Sequence, residues 1–322
     1  MGGVTYRLLG KVYSLLGLFA VLHLSVNVVV FCFFVKITVG LWSSKKSREI
    51  ISNYGQRYWV EVIASIFPPT KFVVSGDVPD GKAPGIIIAN HQTDADFWYV
   101  WECCRALGRA GDVKIILKED VGDIPVIGWG IRLFEFILLA RNWASDQDRM
   151  RRRLAAFGRA RFPLLLLIFP EGTTANTETR DKCHAFAART GRPRLERLLL
   201  PRTTGFSCCL QNLPDNAEGY NIYDMTIAYS SYSGEVPTWS MGYTRKHDLD
   251  IPSVARLMHY DPGKEVHIHI TKTSAPSIVA NVDKWMDETW VRKERQLGNF
   301  AARGRLYSAA TEEESEAPAG TG

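Results

Sequence analysis

Along this chain, unbroken apolar runs alternate with stretches whose apolar residues recur at helical spacing. Residues 14–35 hold no charge and are mostly Leu, Val and Phe, with His23 and Asn27 as polar interruptions. About 20 apolar residues suffice to cross a bilayer as a helix. The run is longer than the ~7–15-residue core of a secretory signal, and no small-residue cleavage site follows it. Residues 50–67 mix apolar and aromatic side chains with Arg57 and Glu61 and stop at Pro68-Pro69. That pattern predicts an amphipathic helix. It either forms a hairpin with the first run, dipped into one leaflet, or lies on the surface beside a full span.

From Lys71 the pattern becomes short apolar strands alternating with helices. Strands are expected at 71–75, 85–89, 113–117, 136–139, 163–169, 198–200, 223–229 and 265–271, and helices at 94–107, 146–161 and 277–300. The apolar run Leu164-Leu165-Leu166-Leu167-Ile168 suits the centre of a sheet covered on both faces. The alternation predicts an α/β fold: a mixed, largely parallel sheet flanked by helices, preceded by a membrane helix or helical hairpin. Three regions follow from it: membrane-anchoring helices at 1–69, an α/β domain at 70–305 and a disordered, Glu/Ala/Gly-rich tail at 306–322.

Composition refines this picture only slightly. The chain is 46% hydrophobic with a formal net charge of +5. That mild basicity suits an anionic ligand or an acidic membrane surface. It is too dispersed for nucleic acid, and the Arg-rich segments carry no nucleic-acid-binding signature. Arg149 to Arg161 reads as a solvated helix face, with headgroup contact as the alternative. Lys36, Lys45, Lys46 and Arg48 follow the first apolar run and only Arg7 and Lys11 precede it, which places the bulk of the chain in the cytosol. No stretch after Asp261 is apolar enough for a further span. The six cysteines form no C-x-x-C pair and read as free, buried thiols. Cys183-His184 are sequence neighbours and point apart, so they are not a nucleophile pair. His267 and His269 share a strand face but lack a third ligand, so no metal site is expected.

The polar residues that matter sit where strands end. His91 and Asp96 follow 85–89, Arg141 follows 136–139, Glu171 and Gly172 follow 163–169, and Pro201 and Arg202 follow 198–200. Ligands of open α/β sheets bind outside the carboxyl ends of the strands. A histidine with a carboxylate five positions on is the minimal kit for a general base.

Asn90-His91-x4-Asp96, Ile137-Leu138-Leu139-Ala140-Arg141-Asn142-Trp143, Phe169-Pro170-Glu171-Gly172-Thr173 and Leu200-Pro201-Arg202-Thr203-x-Gly205-Phe206 resemble, in order, the four blocks of the glycerolipid (1-acylglycerol-3-phosphate) acyltransferase family. The wording is most similar to the eukaryotic lysophosphatidate and lysocardiolipin branch. The resemblance implies acylation of the free sn-2 hydroxyl of lysophosphatidic acid from acyl-CoA as co-substrate, with no cofactor and no metal. A larger head group, lysophosphatidylinositol or lysocardiolipin, is the alternative. It implies His91 as the base, Asp96 as its orienting carboxylate, and Arg141, Glu171, Gly172 and Thr173 around the acceptor. Pro201 and Arg202 would border the acyl-CoA side. The expected partners are the two substrates and a lipid bilayer: the endoplasmic reticulum, or else the mitochondrial outer membrane. Oligomeric state is not legible.

Overall fold

The computed structural model describes residues 2–67, 69–79, 81–237, 251–258 and 264–306. Of the tail expected to be disordered (306–322), residues 307–322 lie outside them, and Leu306 is buried.

Helix α1 (Gly2–Ile37) carries the long apolar run, followed by α2 (Val39–Trp42) and α3 (Ser44–Ile50). A π-helical turn (Ile51–Gln56) then leads into α4 (Arg57–Ile66), so the expected amphipathic helix is one rod with a widened turn. Strands β1 (Lys71–Gly76) and β2 (Gly85–Ala89), helix α5 (Asp96–Ala106), strand β3 (Val113–Lys118), helix α6 (Ile127–Leu133) and strand β4 (Ile137–Leu139) come next. Helix α7 (Trp143–Ala160), strand β5 (Leu165–Ile168), helices α8 (Thr177–Thr190) and α9 (Thr203–Gln211), strand β6 (Asn221–Tyr229), helix α10 (Val254–Met258), strand β7 (Glu265–Ser274) and helix α11 (Val282–Arg303) complete the chain.

The sheet has seven strands in the order β1-β7-β6-β2-β5-β3-β4. Every neighbouring pair is parallel except β6 with β7. Strands β2 and β5 are buried at every position. Each such Leu or Ile contributes on the order of 2 kcal/mol by leaving water, which is why a continuous apolar run marks a central strand. Because β2, β5 and β4 run in the same direction, the loops that follow them emerge at one edge of the sheet.

One expected strand is absent. Leu198, Leu199 and Leu200 are buried but carry no ladder. Their amides go elsewhere: Leu199 N donates to Glu171 Oε2 at 3.0 Å and Leu200 N to Cys183 Sγ at 3.0 Å. Five cysteines are buried thiols as expected, whereas Cys183 is half-buried. His269 is buried against Ser75 (2.9 Å) and His267 lies 2.9 Å from Glu265.

The N-terminal helices are docked on the sheet domain. Val21, Leu24, Ser25, Val28, Cys32 and Val35 form the buried stripe of α1, while Leu15, Leu18, Phe19, Leu22, Val30, Phe33 and Phe34 stay exposed. Gly55 lets α1 approach the π-turn closely, since a Cβ there would lie 2.5 Å from Cys32 Sγ. Two polar ties lock the arrangement. Arg48 donates to both oxygens of Glu135, at 2.5 and 3.1 Å, with both side chains buried. Gln56 donates to the carbonyls of Ala110 and Val113 and accepts from Lys114 Nζ at 2.6 Å. Burial pushes the Lys114 ammonium down to about 7. Removing one partner of a buried, bidentate pair strands the other charge. Glu135→Ala should therefore destabilise the protein by about 3–5 kcal/mol in chemical unfolding. It should also speed limited proteolysis between the N-terminal helices and the sheet.

Candidate active site

His91 lies two positions beyond Ala89, the last residue of β2, and the loop Asn90–Asp96 is built to present it. Asn90 is fully buried and acts as an extra rung on the sheet: its side chain accepts from Ile227 N (2.8 Å) and donates to Ile227 O (3.0 Å). This fixes the backbone one residue before the histidine. Thr93 accepts from Ala95 N, closing the turn into α5. Asp96, the first residue of α5, sits at the positive end of that helix, where a carboxylate is favoured.

The His91 ring is held in turn by contacts of its own. Its Nδ1 lies 2.9 Å from Asp96 Oδ2, which also accepts from Thr93 N at 2.9 Å. Asp96 is wholly buried, so its charge is held by those donors rather than by water. A carboxylate against Nδ1 selects the tautomer whose lone pair is on Nε2. The ring lies over Phe169 with centroids 4.4 Å apart and planes 24° from parallel. Asp96 Oδ1 accepts from the Tyr229 hydroxyl at the end of β6.

His91 opens onto a cavity of about 980 Å³. Its walls are mostly apolar: Ile115, Leu117, Phe134 and Phe136 from the sheet side, and Val28, Val29 and Trp59 from the N-terminal helices. Helices α1 and α4 therefore complete the cavity, and α1 also bears exposed apolar surface. Arg141, Gly172, Thr173 and Arg202 line it together with His91. Arg141 Nη2 donates to Gly172 O at 3.2 Å. Gly172 has φ +73, where a glycine is at ease and other residues are strained. A Cβ on it would meet Arg202 Nε at 3.4 Å, so two guanidinium side chains flank this one turn. Arg202 N donates to Pro170 O (2.8 Å), which brings the 198–202 segment beside the β5 turn without a strand.

Two of the expected site residues lie outside the cavity lining. Glu171 is only 2% exposed. Its carboxylate is a brace: Oε1 accepts from His91 N and Oε2 from Leu199 N, both at 3.0 Å. Pro201 is buried and outside the cavity lining, its carbonyl accepting from Arg192. His91, Asp96, Arg141, Gly172, Thr173 and Arg202 are brought together. Tyr229, Thr93 and Asn90 were not predicted as site residues. Asn90 stood in the first sequence block, and a Tyr closing an apolar strand was the visible trace of Tyr229.

Burial pushes the Glu171 carboxyl up to about 7, with its two backbone donors pulling the other way. A raised carboxyl pKa means that the folded state binds its proton more tightly than the unfolded chain. Stability from this group is then complete below about 4.5 and is lost as pH rises through about 7. Wild type should lose up to about 3 kcal/mol relative to Glu171→Gln between about pH 4.5 and pH 8, read from unfolding midpoints.

An acyltransferase family model, described simply as "Acyltransferase", matches residues 70–230, half of the chain. The sequence is 31% identical to "Probable 1-acyl-sn-glycerol-3-phosphate acyltransferase 5" of Arabidopsis thaliana, over 86% of this chain and 70% of that protein. It is 33% identical to "Lysocardiolipin acyltransferase 1" of Danio rerio, over 71% of this chain but only 56% of that protein. Among solved structures, the fold is similar to that of the 1-acyl-sn-glycerophosphate (LPA) acyltransferase PlsC from Thermotoga maritima, with a TM-score of 0.52 at 16% identity, covering 94% of this chain and 99% of the other. The four blocks, the strand-end geometry and these matches agree, and the chain belongs to the acyltransferase family.

Proposed function

We propose that this protein is an acyl-CoA-dependent lysophospholipid acyltransferase that acylates the sn-2 hydroxyl of lysophosphatidic acid to give phosphatidic acid. The observation that carries this reading is the oriented His91–Asp96 pair on a lipid-sized, mostly apolar cavity that Arg141 also lines. His91 Nε2 takes the proton of the acceptor hydroxyl as its oxygen attacks the thioester carbonyl. The tetrahedral intermediate collapses, breaking the C–S bond. The thiolate recovers the proton from the imidazolium, giving ester and free CoA thiol. The lipid supplies the hydroxyl that a serine supplies in a Ser-His-Asp triad, so no acyl-enzyme forms.

Arg141 is suited to the acceptor phosphate, because a guanidinium pairs with phosphate oxygens in a planar fork. Gly172 and Thr173 shape the same end, and Arg202 borders the acyl-CoA side. The cavity's apolar walls suit an acyl chain. The exposed apolar face of α1 suits lipid. Its opposite face packs on the domain from Val21 to Val35, which favours a helix lying in one leaflet over an upright span. The active site then faces the cytosol, where acyl-CoA is found, on the endoplasmic reticulum or otherwise the mitochondrial outer membrane. A larger acceptor, lysocardiolipin or lysophosphatidylinositol, is the second reading, favoured by the similarity to the fish lysocardiolipin enzyme.

A panel of lysolipids assayed with one acyl-CoA separates these readings. Highest kcat/KM with lysophosphatidate is expected, and a preference for lysocardiolipin or lysophosphatidylinositol would select the second. Arg141→Ala should raise the acceptor KM by roughly tenfold or more and leave the acyl-CoA KM nearly unchanged. His91→Ala should abolish transfer with an unchanged unfolding midpoint. Glu171→Gln should lower kcat more than it changes the acceptor KM, as fits a brace behind His91 and not an acceptor contact.

A further inference from the structure

Asp96 is held by more groups than the His–carboxylate pair needs. Its two oxygens have separate duties. Oδ2 serves His91 Nδ1 and Thr93 N, each at 2.9 Å. Oδ1 faces away from the histidine, with the Thr93 hydroxyl at 3.4 Å and the Tyr229 hydroxyl donating to it. Tyr229 is fully buried, and burial raises its phenol well above the ordinary tyrosine value, so it is a permanent donor. Its ring is clamped edge-on by Tyr99, centroids 5.6 Å apart, and Tyr99 packs in turn on Phe72 at 5.9 Å. The phenol is thus delivered from β6, an element 133 residues along the chain from Asp96.

The torsion that rotates a carboxylate about its own axis is soft and two-fold. Donors at Oδ2 alone would let the plane swing, and with it the direction of the bond to Nδ1. A donor at Oδ1 from a rigid strand pins the far end. It also supplies hydrogen bonding that solvent cannot supply to a carboxylate with no exposed surface.

We infer that Tyr229 is a positioning residue for the acyl-transfer reaction, a third member of a His91–Asp96–Tyr229 relay that acts through Asp96 without touching substrate. The inference rests on the proposed role of His91 as general base.

Kinetics of the full-length protein in lipid nanodiscs test it. Tyr229→Phe deletes one hydroxyl and keeps the ring that Tyr99 packs against. It should lower kcat by about tenfold, as expected for a buried carboxylate deprived of one charge-assisted hydrogen bond, with both KM values within about twofold. In an Asp96→Asn background the same change should cost less than about twofold, because the group through which Tyr229 acts is already lost. An equal loss in both backgrounds, or an unchanged kcat in the single variant, would overturn the inference. Fluorotyrosines at position 229 provide a second measurement that preserves packing. A graded dependence of kcat on phenol acidity is expected, and a flat response contradicts the relay. His91→Ala is assayed alongside. If it retains wild-type turnover, the general-base reading fails, whereas a dead His91→Ala with a fully active Tyr229→Phe rejects only the role of Tyr229.

Discussion

The fixed direction of the bond between Asp96 and His91 is the constraint on which the site depends. A buried carboxylate is costly unless every lone pair is used, and here backbone, hydroxyl, imidazole and phenol donors converge on one. Those donors come from the 90–96 loop and from β6. The loop is in turn held by Asn90, which reads as part of the sheet, and by Glu171, which grips the His91 amide from the end of β5. His91 is therefore placed by three central strands at once, and the parallel order β6-β2-β5 is what sets them side by side.

The second constraint is the seating of the N-terminal helices. They provide apolar surface on both sides: one stripe packs on the domain, and the other faces outward. The packed stripe closes the cavity beside His91, so a single helix contributes to the site wall and to the surface suited to lipid. Arg48–Glu135 and Gln56–Lys114 set the register of that seating, and apolar contacts alone would permit it to slide.

Much of this was legible in the sequence. The runs at 85–89 and 113–117 and the Leu-rich run before Phe169 announced central strands, because a strand covered on both faces has no polar side. Polar residues just beyond them announced the site edge. The segment 198–200 misled because burial needs apolar side chains whether or not a ladder forms. Its amides are satisfied by Glu171 and Cys183, partners that no local pattern reveals. The bracing bonds of Glu171 escaped notice for a related reason. A glutamate at a strand end invites a ligand role, yet its actual partners lie 80 and 28 residues away in sequence. Tyr229 looked like an ordinary strand aromatic, and only the sheet order brings its hydroxyl to Asp96. Helices α8 and α9 were missed as well, because neither has a strong apolar stripe.

The central claim is that His91, oriented by Asp96, moves the proton during acyl transfer. The most direct measurement is turnover of Asp96→Asn in nanodiscs supplied with lysophosphatidate and acyl-CoA, following diacyl product and free CoA thiol together. An amide keeps the volume but donates where the carboxylate accepted, so it disfavours the productive tautomer. The account predicts a loss of kcat by roughly three orders of magnitude, with both products falling in step and substrate binding retained. Turnover within a few-fold of wild type would contradict it.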